Sequence, residues 1–177
     1  MPTLARITVK QTALLLLSLH VALWTLLPLL INRNLPLDVV EALAWGREWQ
    51  WGYYKHPPLS GWLAEFVRSG AHDAPLYLLA QLMTGSALLA SWLLARDLFG
   101  AGSSSPHAQR AEQLALAAML AMEGVHYYNF SSLEFNANVV MYPAWAWMSL
   151  CFWRVVSPYL RSPNNTPQPS QLHWWIG

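Results

Sequence analysis

Long apolar runs alternate along this chain with shorter segments rich in polar and aromatic residues. The first run is Thr12 to Ile31, TALLLLSLHVALWTLLPLLI, and the second is Ala74 to Ala95, APLYLLAQLMTGSALLASWLLA. A third and shorter run, Gln113 to Tyr128, carries Glu123 and His126 near its end, and the fourth, Ala137 to Trp153, is again uncharged. A helix needs about 20 mostly apolar residues to cross a bilayer. The pattern therefore predicts four spans, about 12–31, 74–95, 113–128 and 137–153, the shorter ones completed by flanking aromatics and asparagines. The predicted fold class is all-α, a polytopic membrane helical bundle with short interfacial helices in a first outer loop, 32–73.

Within that loop, Leu37 to Trp51 predicts a surface helix with Asp38 near its start, where a carboxylate suits the helix dipole. At helical periodicity Asp38, Glu41 and Glu48 fall within about 80° of arc, flanked by Trp45 and Trp49, while Arg47 points away. Pro57 and Pro58 break the chain, and Leu59 to Ser69 predicts a second short helix, too charged to span. Gly, Ser and Pro mark 100–110 as a loop, and SPNNTPQPS at 162–170 reads as a polar linker. The closing QLHWWIG, 171–177, reads as the start of a fifth span, so residues 1–177 are expected to be the N-terminal part of a longer transmembrane domain. The first run exceeds the apolar core of a signal peptide and lacks a small-x-small site after it, which makes it a retained anchor.

Composition strengthens the membrane reading. Charged residues make up 11% of the chain and hydrophobic ones 55%, against about 25% charged in an ordinary soluble domain. The net charge of +1 and the lack of a basic stripe interleaved with aromatics give no nucleic-acid partner. Cys151 has no internal disulfide partner and, inside an apolar run, reads as a small buried hydrophobe. Cations set the orientation. With the N-terminus cytoplasmic, Arg6, Lys10, Arg96, Arg110, Arg154 and Arg161 lie inside, close to the spans, against Arg33, Arg47, Lys55 and Arg68 outside, and both termini are cytoplasmic. The loop 32–73 and the acids Asp38, Glu41, Glu48, Glu65, Asp73 and Glu134 then lie outside.

Chemistry concentrates in two outer segments. Asp38 and Glu41 share a helix face just beyond a span; such carboxylates act as general bases, hold a divalent cation, or merely solvate a loop. Lys55 and His56 precede the paired prolines, whose fixed φ limits the entropy lost on holding a neighbouring side chain. Lys55 either snorkels to lipid headgroups or presents a point charge to a phosphate. In the second segment, EGVHYYNFSSLEFNANVV, Glu123 lies near the end of a span, and an intramembrane acid ordinarily faces a cavity or a partner. His126, Glu134, Asn136 and Asn138 emerge on the same side as the first loop. Two glycosylation sequons occur, at Asn129 and Asn164.

An acid pair soon after the first span, then WGYYKHPPLSGWL, then YYNFSSLEFNANVVMYPAWAW entering a span, resembles the GT-C membrane glycosyltransferases of the protein-mannosyltransferase type. These include bacterial enzymes that move aminoarabinose, galacturonic acid or mannose from a polyprenyl-phosphate carrier to lipopolysaccharide or protein. The resemblance covers about residues 34–159. It implies a polyprenyl-phosphate-linked sugar donor, a lipid or protein acceptor, surrounding membrane lipids, and a bacterial inner-membrane location with the first loop periplasmic. Asp38 maps to the catalytic base and Glu41 to its companion, although many relatives have the two acids adjacent. Lys55 maps to the donor-phosphate contact, and His56, which intervenes before the prolines, is expected beside it as a substrate-binding residue. Glu134 and Asn136 map to polar lining of the same cavity. No cofactor is implied with certainty; a divalent metal is possible, with no ligand set defined. Two other readings compete: a non-enzymatic helical subunit or scaffold, and a transporter using Glu123. The 177-residue chain by itself is expected to be inactive.

Overall fold

The computed structural model describes residues 7–68, 72–100 and 107–161. The expectations for Arg6, for Ser69, for most of the 100–110 loop, for Asn164, and for the linker and fifth span at 162–177 lie outside the described residues, as does the side chain of Arg161. Six α-helices and two 3-10 turns follow one another, and among the described residues there is no strand: α1 (Val9–Ile31), α2 (Leu37–Gly46), α3 (Leu59–Val67), α4 (Ala74–Phe99), α5 (Ala108–Glu123), turns His126–Tyr128 and Ser131–Leu133, and α6 (Ala137–Arg161). The protein is an all-helical membrane bundle.

Three helices among the described residues are long and apolar enough to cross a bilayer: α1, α4 and α6. α4 is the central one, packed by α1, α5 and α6, and its buried side chains run its whole length, from Leu76 to Ala95. α1 and α6 turn Leu14, Leu15, Leu19, Leu23, Leu30, Trp145, Met148 and Phe152 outward. Apolar faces of that size are the surface a lipid-embedded bundle presents to acyl chains. Cys151 belongs to that outward surface, so the expectation that it is buried is corrected: α6 packs through the opposite stripe, where Leu150 is buried.

The third apolar run folds differently from its expected course. α5 starts earlier, at Ala108, and stops at Glu123. Its 16 residues rise about 24 Å, short of the roughly 30 Å hydrocarbon core. Arg110 and Glu112 are part of this helix because its first turns lie where charges meet partners: Arg96 makes a paired contact with Glu112 at 2.8 Å for each bond, and Lys10 approaches the same carboxylate at 3.7 Å. Arg154 Nε donates to Asp97 at 2.7 Å and ties α6 to α4. Lys10, Arg96 and Arg154 thus gather at one end of the bundle. At the opposite end Asn32 Nδ2 donates to Tyr77 Oη at 3.4 Å, joining the exit of α1 to the entry of α4.

The helix expected over 37–51 ends at Gly46. Trp49 adopts a left-handed conformation, φ 49°, which no helix accommodates and which a bulky side chain adopts only when its surroundings hold it. Glu48 therefore leaves the acidic stripe and instead accepts from Gln50 Nε2 at 2.7 Å. α3 begins directly after Pro58, as the paired prolines predict. α2 and α3 cross at Gly46 and Gly61 so closely that a Cβ on Gly46 would overlap the Gly61 carbonyl oxygen. Val39, Ala42 and Ala64 fill this seam together with Leu76, Ala80, Phe135 and Val139, which docks the helix pair on the outer ends of α4 and α6.

Candidate active site

Two side chains on separate elements meet at the end of the bundle away from Lys10, Arg96 and Arg154. Asp38 lies in the first turn of α2, and Asn136 immediately precedes α6. Asn136 Oδ1 accepts from the backbone N–H of Asn138 at 2.9 Å and of Val139 at 3.2 Å, which is the bonding of a helix N-cap. With the oxygen edge committed to the helix, the amide nitrogen faces the other way. Asn136 Nδ2 donates to Asp38 Oδ2 at 2.7 Å. The cap thereby decides which amide edge the carboxylate meets. Phe135, fully buried next door, anchors the junction from below.

Lys55 approaches from the opposite side. Its Nζ donates to Glu41 Oε1 at 2.7 Å, with both side chains partly open to water. The hydrogen bond from Glu41 raises the Lys55 pKa above its ordinary value, with smaller electrostatic contributions from Glu41, Tyr54 and Asp38. Asp38 and Glu41 lie three residues apart on α2, so the Asn136–Asp38 bond and the Lys55–Glu41 pair stand side by side as one group. Tyr53 N donates to the His56 carbonyl at 3.1 Å and closes the turn that carries Lys55. Trp45, one turn beyond Glu41 on α2, stacks on Tyr53 at 5.5 Å and meets the His56 ring edge-on at 5.7 Å. His56 is therefore a packing element of the turn. Trp62 Nε1 donates to the Gln50 carbonyl at 3.1 Å and stands between Trp49 and Trp51.

The remaining expected residues fall elsewhere. Glu134 is exposed and makes no side-chain hydrogen bond or ion pair among the described residues. Glu123 faces His20 instead of the outer group, with His20 Nδ1 and Glu123 Oε2 2.9 Å apart. Asn129 spends its amide inside the protein, donating to the Glu123 carbonyl at 2.7 Å and accepting from Phe130 N at 2.8 Å, which removes its sequon from ready modification. Among the described residues no three His, Cys, Asp or Glu side chains converge as metal ligands do. A groove of about 670 Å³ runs between α1 and α4 past Leu14, Val21, Thr25, Leu82 and Gly85, lined by no charged residue of the group; it is an apolar furrow on the bundle's side.

Sequence reasoning missed two features. His20, an ionisable residue within an apolar run, is itself the signal of a buried partner. The role of Asn136 as a cap was also readable, since an asparagine directly before an apolar periodic run is a helix-start signal.

The family described as dolichyl-phosphate-mannose-protein mannosyltransferase matches the chain over residues 55–162. That stretch runs from Lys55 through Asn136 and all of α6. No curated protein and no solved structure gives a significant match.

Proposed function

Because this chain belongs to the dolichyl-phosphate-mannose-protein mannosyltransferase family, we propose that it transfers a sugar from a polyprenyl-phosphate carrier to a lipopolysaccharide, lipid or protein acceptor on the periplasmic side of a bacterial inner membrane. Family membership carries glycosyltransferase activity; donor, acceptor and side of the membrane are the proposed part. The observation that supports it most is the Asn136–Asp38 bond beside the Lys55–Glu41 pair, at the end of the bundle opposite Lys10, Arg96 and Arg154. Lys10, Arg96 and Arg154 lie directly at span ends, where cations mark a cytoplasmic side; this supports cytoplasmic termini and a periplasmic loop 32–73, against the Arg33, Arg47, Lys55 and Arg68 that the loop itself carries.

In this reading Asp38 is the general base. An acceptor hydroxyl is a weak nucleophile until its proton is taken. As the hydroxyl oxygen attacks the anomeric carbon, its proton passes to Asp38, and the bond between that carbon and the phosphate oxygen breaks. The polyprenyl phosphate leaves with the electron pair, and a single displacement inverts the anomeric centre. Asn136 keeps the carboxylate aimed by holding one oxygen. Lys55 stabilises the charge that grows on the departing phosphate. Its ammonium has three N–H donors. Glu41 takes one of them at 2.7 Å, which steadies the side chain and leaves the others for phosphate oxygens. Glu41 thus changes from catalytic companion to positioning residue, and His56 from substrate contact to support of the turn. Glu134 keeps the supporting role of polar cavity lining that the family resemblance implies.

The experiment is transfer from a defined polyprenyl-phosphate sugar in proteoliposomes, comparing the full-length protein with its Asp38→Asn variant. Asn preserves shape and the contact to Asn136 but accepts no proton, so transfer should drop about 100-fold or more, the usual range for a lost general base. Unchanged transfer in a properly inserted variant would return the protein to the scaffold reading.

A further inference from the structure

The path from α5 to α6 crosses the outer half of the bundle without an α-helix. α5 ends at Glu123, and Glu123 meets His20, which stands midway along α1. Beyond Glu123 the chain climbs through two 3-10 turns. Phe130 packs edge-on against Trp24 at 5.0 Å, one turn above His20 on α1. Ser132 is buried and receives a bond from Gln81 Nε2 at 3.1 Å, well inside α4. The stretch 124–136 therefore lies at the depth where α1 and α4 are still within their apolar spans. Irregular backbone at such depth persists only where the protein itself satisfies it.

One polar chain does so. Asn129 Nδ2 donates to the Glu123 carbonyl, Ser132 Oγ donates to the Asn129 carbonyl at 2.6 Å, and Gln81 closes on Ser132. The segment ends at Asn136, whose amide holds Asp38. The start of this chain is fixed to the rest of the bundle by His20. Its side chain is 2% exposed, and among the described residues Nε2 is buried with no hydrogen-bond partner, so there the ring's polar tie is Glu123. A buried imidazole with one tie is costly to maintain unless that tie serves the structure around it.

We propose that the His20–Glu123 pair is a latch that fixes the foot of the non-helical stretch 124–136, and through it the position of Asn136 against Asp38. Glu123 and His20 are positioning residues that touch no substrate. The functional weight of this rests on the reading of Asp38 as base; the geometry does not. It also gives Glu123 a purpose other than ion transport.

The test measures position directly. Spin labels on the full chain, after Cys151→Ser, are attached at Phe66 of α3 and at Glu134, both exposed, and a second pair at Phe66 and Leu37 reports α2 against α3. Glu123→Ala removes the tie, whereas Glu123→Gln keeps an amide that can meet Nδ1. The Phe66–Glu134 distance distribution should be narrow in the parent and in Glu123→Gln, and broadened or displaced in Glu123→Ala, while the Phe66–Leu37 distribution stays the same in all. An unchanged Phe66–Glu134 distribution in Glu123→Ala overturns the latch. So does disturbance of both pairs, which makes the contact a requirement for folding as a whole. A displaced segment that still transfers sugar at the parental rate upholds the latch and removes Asp38 from its role instead.

Discussion

Asn136 makes two bonds of different kinds with one amide, and substitutions can separate them. The oxygen caps α6; the nitrogen holds Asp38 at 2.7 Å. Replacing a capping Asn by Ala costs about 1 kcal/mol, whereas Ser caps nearly as well. A hydrogen bond to a charged acceptor is worth about 1.5–3 kcal/mol, and the half-buried state of Asp38 favours the lower end. Asn136→Ser should therefore stay within about 0.5 kcal/mol of the parent in detergent unfolding. It lacks a donor that reaches Asp38, so kcat/KM should fall about tenfold, the rate equivalent of roughly 1.4 kcal/mol. Asn136→Ala should lose the same activity and about 1 kcal/mol of stability besides. Asn136→Asp keeps a capping oxygen but sets a second carboxylate against Asp38, a repulsion on the order of 4 kcal/mol for unit charges at 4 Å near a surface, so it should be the least active of the three. Unfolding curves and steady-state transfer on the same preparations decide the matter. Parental activity in Asn136→Ser would refute the reasoning about Asp38, and equal destabilisation by Ser and Ala would refute the cap.

Two further outcomes follow from the outer loop. Gly46→Ala drives a methyl into the Gly61 carbonyl and should separate α2 from α3, costing about 1–3 kcal/mol and weakening the near-UV circular dichroism of the Trp45–Tyr53 stack, whereas Gly52→Ala, with open space around it, should change neither. Lys55 carries a pKa raised by its bond to Glu41, so the pair's contribution is complete below the ordinary lysine value of 10.5 and is lost as pH rises through the higher folded value. The lysines of the chain are Lys10 and Lys55, so nitrogen NMR resolves the titration; Glu41→Gln should bring it back toward 10.5, and an unmoved titration would show that the pair does not form.

The parts of the fold that depend on local pattern were readable in advance. Apolar runs announced α1, α4 and α6, and the paired prolines announced the start of α3. α5 was misjudged because Arg110 and Glu112 look like the outside of a span when read alone; Arg96, on another helix, is what makes Glu112 welcome in the bundle. α2 was overextended because nothing local forbids a helix through Arg47 and Trp49, and the left-handed turn there is imposed by packing against α3. In the candidate site, the sequence pattern was enough to place Asp38 near the start of a helix and Asn136 just before another, where the structure has them. The pairing was not legible. Glu41 reaches Lys55 across 14 positions only once the Gly46–Gly61 crossing and the Tyr53–His56 turn have folded the loop back.

The short, charge-bearing α5 also bears on how the protein is made. A charged side chain is costly at the centre of an inserting helix, about 2.5–3.5 kcal/mol; α5 carries its charges toward its ends, Arg110 and Glu112 near the start and Glu123 at the last residue, on only 16 residues. It is too short and too polar to leave the translocon for lipid on its own merits. α1 and α4 emerge first and already display Lys10, Arg96 and His20, the side chains that receive those acids. Biogenesis should therefore run by recruitment, with α5 drawn into the bilayer by earlier helices, and α1 acting as the assembly chaperone for the helix that leads into the stretch 124–136 and Asn136.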